Sequence, residues 1–268
     1  MQQKRVIITG CPRSGTSALS MLMSHATNAF ICNEMGLYLP GSQEFNRKIR
    51  QLSNAWSKGV EKQPPFGVQT AGMKISGLTP ANIVEYQKNE SYGDLEFFGD
   101  KHPQYCINKP LLRHLRNKHS HFYYLICYRD PLDTIASFIR KSRAKDPQPG
   151  FWFCNSIHEA TNKWIQTIRN WTQELYHHVP NIKIIKYEDY CYDAEKLIGE
   201  LSDFLGGKLD TLNTDTVGTF RQPAGSEIYY PVNVGAHKDI FGPKQIGTIR
   251  KRTSGLHERV MKMIYGGS

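Results

Sequence analysis

The chain has 268 residues, 39% hydrophobic and 22% charged, the composition of an ordinary globular protein able to bury a core without covalent staples. A formal charge of +10 implies attraction to anions, and nucleic acid, a membrane surface, a nucleotide cofactor and an acidic acceptor are all compatible with it. No apolar run approaches the roughly 18 residues of a membrane span, and the six scattered cysteines form no C-x-x-C pair, which points to buried free thiols in a reducing compartment.

Strand-like sequence begins within five residues of Met1, which leaves no room for a signal peptide and sets the expectation of a cytoplasmic protein. The apolar run Val6-Ile7-Ile8 predicts a first strand over 5–9, and the pattern that follows predicts a helix over 14–25. The short segment Ala29-Phe30-Ile31-Cys32 leads into Asn33-Glu34, and a helix is expected over 43–58. The Pro- and Gly-rich stretch from Ser57 to Leu78 reads as a long loop, after which Thr79-Pro80 opens a short helix with Thr at the cap and Pro at N1. Leu95–Gly99 reads as a buried strand ending at Asp100-Lys101-His102-Pro103, followed by a helix over 104–117.

The clearest strand is Phe122–Tyr128, which runs into Arg129-Asp130-Pro131 and a helix with apolar residues at 132, 135, 136 and 139. Residues 155–179 carry the longest helical pattern, with Trp164 and Trp171 on its core stripe. A further strand, Ile182–Tyr187, ends at Glu188-Asp189; a helix over 193–205 closes at Gly206-Gly207; 208–252 reads as loop and about 254–265 as a last helix. Strands alternating with helices predict a single α/β domain, with a central, mainly parallel sheet between two helical layers.

In such sheets ligands sit at the carboxyl ends of the strands. Four polar clusters fall there: residues 10–17, Asn33-Glu34, Asp100-Lys101 and Arg129-Asp130. Strand, tight loop and helix at 6–23 is the arrangement that turns backbone N–H groups and a helix N-terminus toward a phosphate or sulfate. The spacing Gly10-x4-Gly15-Thr16-Ser17 nearly fits a P-loop, but Thr16 stands where the nucleotide hydrolases carry lysine.

Cys11-Pro-Arg-Ser-Gly-Thr-Ser17 resembles the 5′-phosphosulfate loop of the sulfotransferases that use 3′-phosphoadenosine-5′-phosphosulfate (PAPS). Arg129-Asp-Pro-Leu-Asp-Thr-Ile-Ala-Ser137 resembles that superfamily's 3′-phosphate motif, an arginine and a serine eight residues on. The pattern is most similar to the tyrosylprotein sulfotransferases and their bacterial relatives, in which a glutamate lies 21 residues after the loop arginine, as Glu34 follows Arg13. Lys101-His102-Pro103 matches a family Lys-x-Pro, and Tyr187-Glu188 a family Tyr-Glu pair.

The resemblance implies a P-loop-like fold and transfer of a sulfonate from PAPS to an acceptor hydroxyl, with no metal required. It assigns Glu34 as general base, Lys101 to charge on the bridging oxygen or on the sulfonate, and Arg13 to sulfonate or phosphate oxygens. Ser14, Gly15, Thr16 and Ser17 would hold the 5′-phosphosulfate, and Arg129 and Ser137 the 3′-phosphate. Tyr187 would pack on the cofactor, bond near the base or fill core. His237, Lys238, Lys244 and the Arg250–Arg252 run are candidates for a late basic contact to the 3′-phosphate, and Lys238 is preferred among them. Residues 41–78 and 143–156 are expected to select the acceptor, whether peptide tyrosine, saccharide, lipid or small metabolite. No membrane anchor is visible, unlike in the Golgi relatives, which favours a bacterial-type cytosolic enzyme.

Two other readings compete. A P-loop phosphotransferase or NTPase would use Asp130 as a metal ligand, but lacks its lysine at position 16. A basic nucleic-acid-binding protein would account for the charge, yet the aromatics lie in apolar patterns and no nucleic-acid-binding motif is present. The ten histidines form no metal-site spacing and there is no G-x-S-x-G elbow.

Overall fold

A computed structural model describes residues 3–24, 26–41, 43–59, 77–144, 153–210 and 234–266. Five strands, β1 (Lys4–Gly10), β2 (Ala29–Asn33), β3 (Phe97–Lys101), β4 (Tyr123–Tyr128) and β5 (Ile182–Lys186), form one sheet in the order β2-β3-β1-β4-β5. Every pairing is parallel. Parallel strands need crossovers, and covering helices bury both faces. The strand centres are accordingly apolar, with polar residues toward the ends, and β1 is buried at every position after Lys4.

Ten α-helices are described: α1 (Thr16–Ser24), α2 (Gln43–Ser57), α3 (Pro80–Lys88), α4 (Gln104–Ile107), α5 (Lys109–Lys118), α6 (Pro131–Ser142), α7 (Ile157–Glu174), α8 (Tyr187–Tyr192), α9 (Ala194–Leu205) and α10 (Pro243–Tyr265). A 3-10 turn, Ala236–Asp239, precedes α10. The period-2 alternation of β1 divides the core: Ile7 faces a cluster with Trp164 and Trp171 of α7, whereas Val6 and Ile8 face one built from Leu19, Leu22 and Met23 of α1 and Leu201 and Leu205 of α9. Emptying either tryptophan site is worth about 3–5 kcal/mol.

Several sequence expectations need correction. The last helix begins at Pro243, not near 254, and at 23 residues is longer than α7. Pro243 occupies its first turn, and the Gln245 side chain accepts from the Gly242 N–H. The helix expected over 104–117 is two, broken at Asn108, which caps α5 by accepting from the Leu111 N–H. β3 runs on through Asp100 and Lys101, α7 stops at Glu174, and β5 stops at Lys186 so that Tyr187 opens α8. Most of the expected 57–78 loop, and much of 143–156 and 208–252, lie outside the described residues.

Candidate active site

The loop after β1 sits at the centre of the sheet's carboxyl edge, where β3 flanks β1 on one side and β4 on the other. Gly10, at φ +149°, lies so close to β4 that a Cβ would run into the Cys127 carbonyl. Ser14 is fully buried; its N–H donates to the Cys11 carbonyl at 3.0 Å and its hydroxyl to the Cys127 carbonyl at 2.9 Å. This staple tightens the loop so that α1 opens at Thr16. The first N–H groups of a helix have no partner within it, and the first turn of α1 carries no acidic residue to fill them. That end of α1 is therefore an anion seat.

Arg13 holds its backbone at φ +73°, and its Nε donates to the Ser137 hydroxyl of α6 at 3.0 Å. Arg129, just past β4, donates through Nη1 to the Arg13 carbonyl at 3.2 Å, and its guanidinium lies 4.5 Å from the centre of the Tyr187 ring. The next residue of α8, Glu188, accepts from the Asp130 N–H at 2.9 Å. Asp130 itself caps α6, accepting from the Leu132 N–H at 2.8 Å. Its carboxylate thus has a structural task, and the Tyr187-Glu188 pair fixes the corner that presents Arg129.

Across the loop, Glu34 follows β2 and Lys101 ends β3. The Glu34 N–H donates to the Lys101 carbonyl at 2.7 Å, and Lys101 Nζ lies 2.7 Å from Glu34 Oε1. The Lys101 side chain is 1% exposed and that of Glu34 18%. Burial pulls the Lys101 ammonium below its usual range, and the Glu34 carboxylate opposes that shift. Lys48 of α2 donates to the Glu34 carbonyl. Glu34, at φ +60°, and Arg13 are the two non-glycine residues with positive φ among those described, and both border the same cleft. Strain concentrated in this way marks a site whose geometry the surrounding structure enforces.

That cleft has a volume of about 340 Å³. Its walls bring together Arg13, Thr16 and Ser17, then Arg129, Ser137, Arg140 and Lys141, with Glu34 and Tyr187 at its sides. Four cations and one carboxylate in the described walls give it the charge that attracts a multiply charged anion.

A model of the sulfotransferase domain family matches residues 3–222. This chain belongs to the sulfotransferase family. A search of curated proteins gave no significant match to this sulfotransferase. Among solved structures it is similar to the sulfotransferase domain of the Synechococcus PCC 7002 olefin synthase, at 18% identity and TM-score 0.62, covering 97% of this chain and 94% of that one. The sulfotransferase domain from the curacin biosynthetic pathway gives 16% and 0.59, with 95% and 98% covered. A mouse sulfotransferase complexed with PAP (adenosine 3′,5′-bisphosphate) gives 14% and 0.58, with 100% and 90% covered. The sulfotransferase fold, and with it an enzyme of sulfonate transfer, is what the sequence motifs implied.

The structure gathers Arg13, Gly15, Thr16, Ser17, Glu34, Arg129, Ser137 and Tyr187 around the one cleft, with Lys101 behind Glu34. Ser14 is turned inward, so it shapes the loop through the two bonds above. Lys238 is exposed and does not line the cleft. Its neighbour His237 is bound to Asp133 of α6, with Nδ1 2.7 Å from Oδ1. Lys244 and Arg252 border a separate groove against α7. Arg140 and Lys141 were missed by sequence reasoning; their signal is their position three and four residues past Ser137, which puts them on its face of α6.

Proposed function

We propose that this sulfotransferase takes its sulfonate from PAPS and delivers it to an acceptor hydroxyl, with Glu34 as the general base. The observation carrying this reading is the position of Glu34: a carboxylate paired with a buried lysine, on the rim of a cleft otherwise lined by cations and a helix N-terminus. The family implies PAPS, and the walls fit it. The α1 N-terminus, Thr16, Ser17 and Arg13 would hold the 5′-phosphosulfate, while Arg129, Ser137, Arg140 and Lys141 suit a second phosphate. When bound, PAPS supplies a sulfonate whose bond to a phosphate oxygen breaks as the acceptor oxygen bonds to sulfur.

Glu34 accepts the hydroxyl proton of the acceptor as that oxygen attacks. Arg13, in the cleft wall, stands ready with charge for the oxygens that gain it on the opposite side, whereas Lys101, buried behind Glu34, holds the carboxylate of the base. Tyr187 is buried in the apolar cluster on the α1 side, holds the Arg129 guanidinium by its ring face and borders the cleft, so it serves the core and, by its edge, can pack on the cofactor. One domain suffices for all of this, since both apolar clusters lie against a single sheet. Six free, buried thiols accord with a cytoplasmic location, and among the described residues no helix is long and apolar enough to cross a membrane.

The test pairs Glu34→Gln with Glu34→Ala. Both are expected to bind adenosine 3′,5′-bisphosphate within about twofold of wild type and to lose transfer by about two to four orders of magnitude. Near-normal turnover in either variant rejects Glu34 as the base.

A further inference from the structure

Asp100 is fully buried one residue before Lys101, and nothing in the transfer chemistry above uses it. Its carboxylate accepts four hydrogen bonds. Oδ1 takes the Met35 N–H at 3.1 Å; Oδ2 takes the N–H groups of Gly36 at 2.9 Å and Leu37 at 3.1 Å and the Tyr105 hydroxyl at 2.8 Å. The three N–H groups are those immediately following Glu34. The backbone there turns through positive φ at Glu34 and again at Gly36, a path that an unsupported chain does not hold at a glutamate. Glu34 is also held from β3 by the Lys101 carbonyl and from α2 by Lys48. β3 therefore grips the base at two successive residues: Lys101 takes the carboxylate and Asp100 the strained turn behind it.

We infer that Asp100 is a positioning residue for the proposed base, its carboxylate holding the Met35–Leu37 turn so that Glu34 faces both Lys101 and the cleft. This inference rests on Glu34 being the base. The groups facing Asp100 are Lys48 from α2, Lys101 on its own strand, Cys32 from β2, Tyr38 from the turn beyond Glu34 and Tyr105 from α4; Arg5 of β1 acts on Cys32 and Tyr38. Burial raises the Asp100 carboxyl to about 6, and the Tyr105 hydrogen bond works against that rise. A grip made by the ionised carboxylate thus weakens as pH falls through that value.

Asp100→Asn keeps the shape but turns an NH2 group against a backbone N–H donor. Its expected kcat is about 10- to 100-fold below wild type, the scale of a misplacement near 1 Å, with affinity for adenosine 3′,5′-bisphosphate unchanged. The acidic limb of its kcat profile shifts to lower pH, because one group that must lose a proton is gone. Tyr105→Phe removes one of the four bonds, leaves the carboxylate in place and is expected to shift the same limb to higher pH. Opposite shifts of one limb are not produced by a general loss of packing.

Asp100→Asn turning over within twofold of wild type, while Glu34→Gln is inactive, overturns the positioning role alone. So does a Tyr105→Phe limb that stays in place, which decides the matter should Asp100→Asn fail to fold. Activity in Glu34→Gln overturns the base assignment and this inference with it.

Discussion

Lys101 Nζ lies 2.7 Å from Glu34 Oε1, joining the carboxyl ends of two adjacent parallel strands through their side chains. The strand register makes the contact unavoidable: Lys101 stands opposite Asn33, so the residue after Asn33 meets it. The proposed base is thereby held by its lysine before any ligand arrives.

Lys101→Ala is expected to lower kcat by about 10- to 100-fold, the scale of a base left about 1 Å out of place once its ion pair is gone. Affinity for adenosine 3′,5′-bisphosphate, measured by calorimetry, should change little. Because burial lowers the Lys101 ammonium from its ordinary 10.5, wild-type kcat should decline on the alkaline side before that pH. A wild-type kcat that stays flat up to pH 10 would show that the ammonium takes no part in turnover.

The Arg13–Ser137 bond spans the cleft from loop to α6. Ser137→Ala leaves a guanidinium N–H without its hydroxyl acceptor and removes a hydroxyl from the proposed phosphate site. Binding of adenosine 3′,5′-bisphosphate is expected to weaken about tenfold, the cost of one charge-assisted hydrogen bond. Unaltered affinity would place the 3′-phosphate elsewhere.

Arg140 and Lys238 make opposite predictions. Arg140→Ala should weaken binding of the same ligand about threefold, and more at low ionic strength, because the lost charge borders the cleft. Lys238→Ala, at an exposed position away from the described walls, should leave it unchanged. The reverse ranking would restore Lys238 as the late basic contact.

Asp100 predicts a pH-dependent stability. Its carboxyl rises from 3.8 to about 6 on folding, so the folded state holds that proton more tightly than the unfolded chain. The stability it contributes is complete below 3.8 and is lost as pH rises through about 6. Two units correspond to about 3 kcal/mol. Urea unfolding between pH 4 and pH 7 should therefore show Asp100→Asn gaining on wild type by that order, whereas a constant difference contradicts the shift.

The cofactor half of the site was legible because it is local. Strand, glycine, arginine and helix at 6–23, and strand, Arg129, Asp130 and helix at 123–142, each announce their geometry within about twenty residues. Glu34 and Lys101 were flagged only as polar residues at strand ends, and their roles came from family spacing for Glu34 and a family Lys-x-Pro context for Lys101. Three of the four partners of Asp100 are backbone N–H groups 63 to 65 positions away, which carry no residue label, so the role proposed for it was invisible. Lys48 was hidden for a related reason: it touches a carbonyl, and its placement needs α2 already docked.

The α10 error has a different cause. Gly242, Pro243, Gly247 and the Arg250–Arg252 run looked like loop chemistry. The helix persists because Ile249 and Val260 are buried, with Ile246 and Leu256 packed beside them, and tertiary packing outweighs two unfavourable glycines.

The place of β1 in the sheet bears on synthesis. It precedes the other four strands of the sheet, yet its neighbours are β3, which pairs Phe97 with Lys4, and β4, which pairs Tyr123 with Val6. At about 5–20 residues per second, an apolar, β-branched segment waits several seconds for either edge to be covered. The loop waits as well, because both Gly10 and Ser14 pack on the carbonyl of Cys127. A nascent chain that stops short of Cys127 carries the complete loop sequence and no anion site.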